Sequence, residues 1–112
     1  MPLLSIRTNC QLNNKKELAL EASKLTAQIL SKPEAYVMVS IEDSQALIFA
    51  GNDQPAAYVE LKSLGLPEDQ TSDLSSSLCT FINERLDIDS ARIYIEFSNA
   101  ERHMWGWKDG TF

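Results

Sequence analysis

Two positions near the start of this chain could do chemistry together. Removal of Met1, which aminopeptidases perform when the next residue is small, would leave Pro2 as a terminal secondary amine. Such an amine is a general base or a nucleophile once burial or a neighbouring cation brings its pKa toward neutrality. Leu3 and Leu4 follow at once, so the amine is tied to a core strand. Lys32, just before Pro33, is a cation at the end of a helical segment. Helix dipole and helix stop account for it without chemistry, since lysine suits a last turn and proline ends it. In a β-α-β unit the same place lies near the start of the first strand. There Lys32 could hold a carboxylate and depress the pKa of Pro2. A third group is the tail from Met104 to Phe112, which carries Trp105, Trp107 and Phe112. Clustered aromatics plug a core or an interface, or line a pocket for a flat substrate.

Other chemistry is excluded early. The single histidine, His103, removes most metal and triad schemes. Cys10 and Cys79 are far apart and form no C-x-x-C, so reduced thiols are the plainer reading. With 10 Lys and Arg against 16 Asp and Glu, the net charge is -6, which argues against nucleic acid as a partner. No apolar run reaches membrane length and no leader pattern opens the chain, so no membrane partner is expected and the cytoplasm is the default location. At 112 residues, 1-112 reads as a single domain.

The elements that must position these residues come in two copies. Glu34 to Val39 resembles Ser90 to Ile95, half the chain later, and each copy follows an amphipathic stretch. Leu18, Ala22, Leu25 and Ile29 recur at helical spacing, as do Leu74, Leu78, Phe81, Ile82 and Arg85. Asn14 with Glu17 reads as a capping box, and Thr71 as the cap of the second helix. Strands are expected at Leu3 to Arg7, Tyr36 to Ile41, Ala57 to Lys62 and Arg92 to Phe97, with a short Leu47-Ile48-Phe49 segment between the halves. The order is β-α-β twice, each unit parallel through a right-handed crossover. The fold class expected is therefore α/β: two β-α-β repeats forming a four-stranded mixed sheet, with both helices on one face. Apolar residues on both faces of several strands imply an uncovered apolar sheet face, and a second copy of the chain is the favoured cover over a folded-back tail.

Several separate pieces then agree. Met1-Pro2-Leu3-Leu4 with Thr8-Asn9, Ser31-Lys32-Pro33-Glu34-Ala35-Tyr36-Val37, Leu47-Ile48-Phe49-Ala50-Gly51, Glu84-Arg85-Leu86 with Arg92-Ile93-Tyr94-Ile95, and Gly106-Trp107 with Thr111-Phe112 resemble the macrophage migration inhibitory factor family of the tautomerase superfamily. The resemblance runs from end to end. It implies a homotrimer with active sites shared between subunits and a catalytic amino-terminal proline. Pro2 would be the base and Lys32 the cation that binds the substrate carboxylate. Backbone near Ser63 and Leu64 would line the pocket, with Tyr36, Trp107 and Phe112 as walls and Tyr94, Glu96 and Phe97 arriving from the neighbouring subunit. The implied reaction is keto-enol tautomerisation of phenylpyruvate-type 2-oxo acids, and of D-dopachrome, without metal or organic cofactor. The rival reading is a cytokine-like binding or signalling module with a vestigial site, and non-classical secretion stays open with it. A third is a same-fold enzyme for a different acid.

Three departures shape these expectations. Ala56-Ala57-Tyr58-Val59 stands where the vertebrate protein has C-x-x-C, so thiol-disulfide oxidoreductase activity should be absent. Gln11-Leu12-Asn13 lacks the arginine used in receptor mimicry, and Glu96 replaces a common asparagine. Glu96 either accepts a hydrogen bond from a substrate's phenol or pairs with Arg92 or Arg102.

Overall fold

The computed structural model describes every residue from Met1 to Phe112. Its elements are β1 (Pro2–Thr8), α1 (Lys15–Leu30), β2 (Met38–Glu42), β3 (Ala57–Leu64), α2 (Thr71–Leu86), β4 (Ile93–Ala100) and a terminal hairpin of β5 (Gly106–Trp107) and β6 (Gly110–Thr111). The first four strands form one sheet in the order β2-β1-β3-β4. β1 and β2 are parallel, β3 and β4 are parallel, and β1 meets β3 antiparallel at the centre. The expected doubled β-α-β architecture with a mixed sheet is what the chain adopts.

Alternation along the strands builds the core. Register places Val39, Leu4, Leu61 and Phe97 in one row across the sheet, and Ile41, Ile6, Val59 and Ile95 in the next. Leu4, Ile6, Val59 and Leu61 are fully buried beneath the helices. Helix α1 contributes Leu18, Ala22, Thr26 and Leu30, and α2 contributes Leu74, Leu78, Phe81 and Ile82. On α1 the stripe is turned from the expected one, because Leu25 and Ile29 are only partly buried. Thr26 sits inside because its hydroxyl donates to the Ala22 carbonyl at 2.8 Å, which removes the cost of an unpaired polar group. Leu61→Ala is expected to lower the unfolding free energy by about 2–5 kcal/mol, because the emptied site lies between both helices and the sheet. Denaturant midpoints would check it, and a midpoint equal to that of the unsubstituted chain would remove Leu61 from the shared core.

Several local expectations need correction. Neither helix start has a side-chain cap: Asn14 and Gln70 occupy the N-cap positions without one, and Thr71 is already the first helical residue. The loop leading into α1 is held by Asp43, which accepts from Leu12 N–H and pairs with Lys15 at 3.0 Å. Tyr36 lies in a single 3-10 turn (Glu34–Tyr36), not in β2. Leu47-Ile48-Phe49 leads into a tight turn closed by a Phe49–Asn52 bridge, with Ala50 and Gly51 in left-handed conformation at φ 53° and 77°.

The largest correction concerns the sheet face away from the helices. It carries Met38, Leu3, Lys62 and Ser98 in one row, Ser40, Ser5, Glu60 and Glu96 in the next, and Glu42, Arg7, Tyr58 and Tyr94 in the last. This face is polar and charged across its centre, not apolar. Arg7 pairs with Glu42 at 3.5 Å and Lys62 with Glu60 at 3.1 Å. Exposed apolar surface is found instead at the two outer edges: Met38 on β2 is 67% exposed and Tyr94 on β4 is 64% exposed. A sheet face of this kind tolerates water, whereas its edges present unpaired backbone and apolar side chains.

Candidate active site

The start of β1 and the end of β3 build the site. Pro2 opens β1 opposite Ser63 and is fully buried. Beside it lies a cavity of about 310 Å³, walled by Met1, Pro2, Tyr36, Met38, Trp105 and Trp107. Tyr36 meets Trp107 edge-on at 6.0 Å, and Phe112 stacks behind Trp107 at 5.6 Å. The aromatic tail and the 3-10 turn therefore close the same hollow. Lys108 extends over the Trp107 ring at 5.7 Å, on the turn between β5 and β6.

Lys32 arrives from α1. The helix stops at Leu30, Ser31 turns left-handed at φ 52°, and Lys32 lies just outside the last turn rather than in it. Its ammonium donates to the Leu64 carbonyl at 2.8 Å, one residue beyond the strand partner of Pro2. Ser63 Oγ also donates to Leu64 O, at 2.9 Å. The carbonyl thus fixes both groups around the end of β3. An ammonium has three protons, so one spent on Leu64 leaves two for an anion.

Electrostatics marks the same spot. The terminal amine is held below its ordinary value, first by burial and then by the charge of Lys32. In the chain as translated that amine belongs to Met1, and the Pro2 nitrogen is an amide without basic character. The Met1 amine therefore stands in for the Pro2 amine that processing would create one residue deeper.

The turn after β3 is pinned by residues the sequence did not flag. Gly65 takes φ +59°, and a Cβ there would stand 3.9 Å from the Lys32 ammonium. Asn99 accepts from Leu66 N–H at 3.1 Å and donates to Glu68 at 2.6 Å. The Gly65-Leu66-Pro67 run was a readable turn signal, whereas Asn99 depended on the β3–β4 register.

Within one chain, Tyr94, Glu96 and Phe97 stand apart from this cavity. Tyr94 packs on Phe49 at 4.7 Å between centroids. Phe97 lies in the helix-facing row against the core. Glu96 pairs with neither arginine: it accepts the hydroxyl of Tyr58. Arg92 is spent elsewhere, donating to the carbonyls of Pro55 at 2.9 Å, Phe49 at 3.2 Å and Gln54 at 3.0 Å.

A second hollow of about 300 Å³ opens on the helix side among Leu12, Glu17, Glu21, Arg85 and Leu86. Arg85 is tied there to Glu21 at 2.6 Å, and no aromatic side chain walls the space. No group of three His, Cys, Asp or Glu side chains is placed to hold a metal ion. No helix is long and apolar enough to cross a membrane.

A doubled β-α-β sandwich with a buried proline and a cation at the end of its central strands defines the fold class. The Macrophage migration inhibitory factor (MIF) family profile matches residues 1–112. The macrophage migration inhibitory factor homolog of Trichinella spiralis is 35% identical, with 100% of both chains covered. The protein of Mus musculus is 31% identical over 100% of this chain and 99% of its own. The crystal structure of the homologue from Prochlorococcus marinus superposes with a TM-score of 0.93 at 37% identity, covering 98% of each chain. The chain belongs to the macrophage migration inhibitory factor family, within the tautomerase superfamily.

Proposed function

We propose that this protein is a cofactor-free keto-enol tautomerase of phenylpyruvate-type 2-oxo acids, with D-dopachrome as a further substrate and Pro2 as the base after loss of Met1. The observation that carries the reading is the placement of a buried Pro2 against an aromatic cavity, with the Lys32 ammonium held at the Leu64 carbonyl one residue beyond its strand partner; the Met1 amine next to it is already lowered by burial and by Lys32. A base must be deprotonated to act, and a lowered amine pKa supplies that form near neutral pH. Lys32 binds the carboxylate of the 2-oxo acid with the protons that Leu64 leaves free. The Pro2 nitrogen takes the proton from the carbon beside the carbonyl, and electrons shift to the carbonyl oxygen. Lys32 offsets the enolate charge as it forms, and a proton returns to oxygen. The product is an isomer, so nothing is oxidised or reduced. Tyr36 and Trp107 hold the ring, with Phe112 stacked behind. An enolisation rate no greater than the spontaneous one, measured on untagged protein, would overturn the reading.

The same reading makes the protein a homotrimer with shared sites. The outer edges of β2 and β4 differ, so pairing one with the other is heterologous and can close a ring. Met38 opens β2 and lines the Pro2 cavity, so a neighbour's β4 laid along that edge brings Tyr94 and Glu96 to its mouth. The side chain of Phe97 leans on its own core, which leaves its backbone for such a contact. Three copies is the number the family resemblance implies. Light scattering should return three times the chain mass at micromolar concentration, and a monomer would overturn both the ring and the shared site. The cytoplasm is the proposed location, in keeping with two free cysteines.

A further inference from the structure

The open sheet face holds a pair that the mechanism above does not use. Tyr58 on β3 donates its hydroxyl to Glu96 Oε2 on β4 at 2.5 Å. In register, Tyr58 stands opposite Tyr94 and Glu96 opposite Glu60, so the bond runs diagonally between strands. Glu60 and Glu96 are like charges directly across the ladder, an arrangement that pushes both side chains away from each other. Lys62 neutralises Glu60 at 3.1 Å, and Tyr58 draws Glu96 to the other side. The Tyr58 hydroxyl is pushed up to about 12, mainly by this hydrogen bond, so it stays a donor throughout the working pH range. One oxygen of Glu96 is thereby committed and its partner, Oε1, points from an exposed edge-strand residue. An ionised carboxylate only accepts hydrogen bonds, so the free oxygen selects for donors and against anions.

We propose that Tyr58 is a positioning residue for substrate choice: it fixes the Glu96 carboxylate so that the free oxygen receives a hydroxyl at the far end of a 2-oxo acid side chain. The preferred substrates are then aromatic 2-oxo acids ending in a neutral hydroxyl, ahead of those ending in hydrogen or an anion. This rests on the shared-site reading, in which Glu96 reaches the neighbouring subunit's pocket. A carboxylate already held in one rotamer loses less freedom on binding than a free one.

The test compares kcat/KM for (4-hydroxyphenyl)pyruvate and phenylpyruvate in the unsubstituted protein, Tyr58→Phe, Glu96→Gln and the double variant. Tyr58→Phe should lower the hydroxylated-to-plain ratio by roughly three- to tenfold, mainly through KM, the scale of one charge-assisted hydrogen bond in a partly wet site. Phenylpyruvate turnover should stay within about twofold, because no contact to the unsubstituted ring is lost. The double variant should lose no more selectivity than Glu96→Gln, since Tyr58 acts through Glu96. An unchanged ratio in Tyr58→Phe overturns the proposal, as does an equal loss on both substrates or a fall in assembly mass. An unsubstituted protein inert toward both acids overturns the tautomerase reading itself, an outcome distinct from activity on both with a ratio indifferent to Tyr58.

Discussion

Pro2→Gly in the untagged chain is expected to lower kcat/KM for phenylpyruvate enolisation by about 10²- to 10⁴-fold, the range a positioned general base contributes. Glycine at this position still permits removal of Met1 and still leaves a terminal amine. The loss therefore reports the ring and its placement rather than the presence of nitrogen. The ring matters because the proline side chain is fully buried at the head of a central strand, opposite Ser63. A glycine amine there swings freely and spends little time at the distance a proton transfer needs. Near-equal turnover by Pro2→Gly would show that another group takes the proton. Far-ultraviolet dichroism and assembly mass of the same sample separate this from misfolding.

Lys32→Ala should produce the second largest effect, in two readouts. The first is a fall in kcat/KM of about 10²-fold for carboxylate substrates, the scale of truncating one partner of a close charge pair in a partly desolvated site. The second is a displaced pH profile, and its direction follows from the amine. Lys32 lowers the Met1 amine of the unprocessed chain, and the same charge acts on a Pro2 amine one residue deeper, so removing it raises the pKa of the base. The deprotonated base then accumulates only at higher pH, and the rising limb of kcat/KM moves upward in pH. Burial is the larger cause and remains in the variant, so part of the depression persists. A rising limb that stays in place would separate Lys32 from the base, even if affinity for the carboxylate were lost.

Much of this arrangement could be read from the chain because it depends on local periodicity. The alternation of Val59 and Leu61 and the helical spacing of Leu74, Leu78 and Ile82 fall where the structure buries them. Pro2 and Lys32 were found by residue type and by their place in a β-α-β unit, and the fold brings both to the end of β3. Other features depended on what lies far away in sequence. Apolar residues such as Leu3 and Met38 on strands read as apolar on both faces suggested an apolar open face, yet register sets these two in its first row, with Ser5, Glu60 and Glu96 in the next. The cap expected at Asn14 makes no side-chain hydrogen bond, and the loop before α1 is held instead by a residue distant in sequence, Asp43, through Leu12 N–H. Glu96 was matched with arginines by charge, whereas the diagonal geometry of two adjacent strands gave it a neutral tyrosine. Arg92 was unavailable because its guanidinium straps the Phe49 to Pro55 loop, with the Phe49 ring 5.1 Å beneath it. Pairings of this kind follow from register, and register is a property of the folded sheet rather than of any short segment.

In the proposed mechanism a terminal proline amine beside Lys32 performs the proton transfer. The most direct measurement is phenylpyruvate enolisation by untagged protein whose intact mass is recorded on the same preparation. Catalysed enolisation is expected from a chain lighter by one methionine, with Pro2 as its first residue. Full activity in a chain that retains Met1 would contradict it, because an acylated proline nitrogen has no basic lone pair to receive the proton.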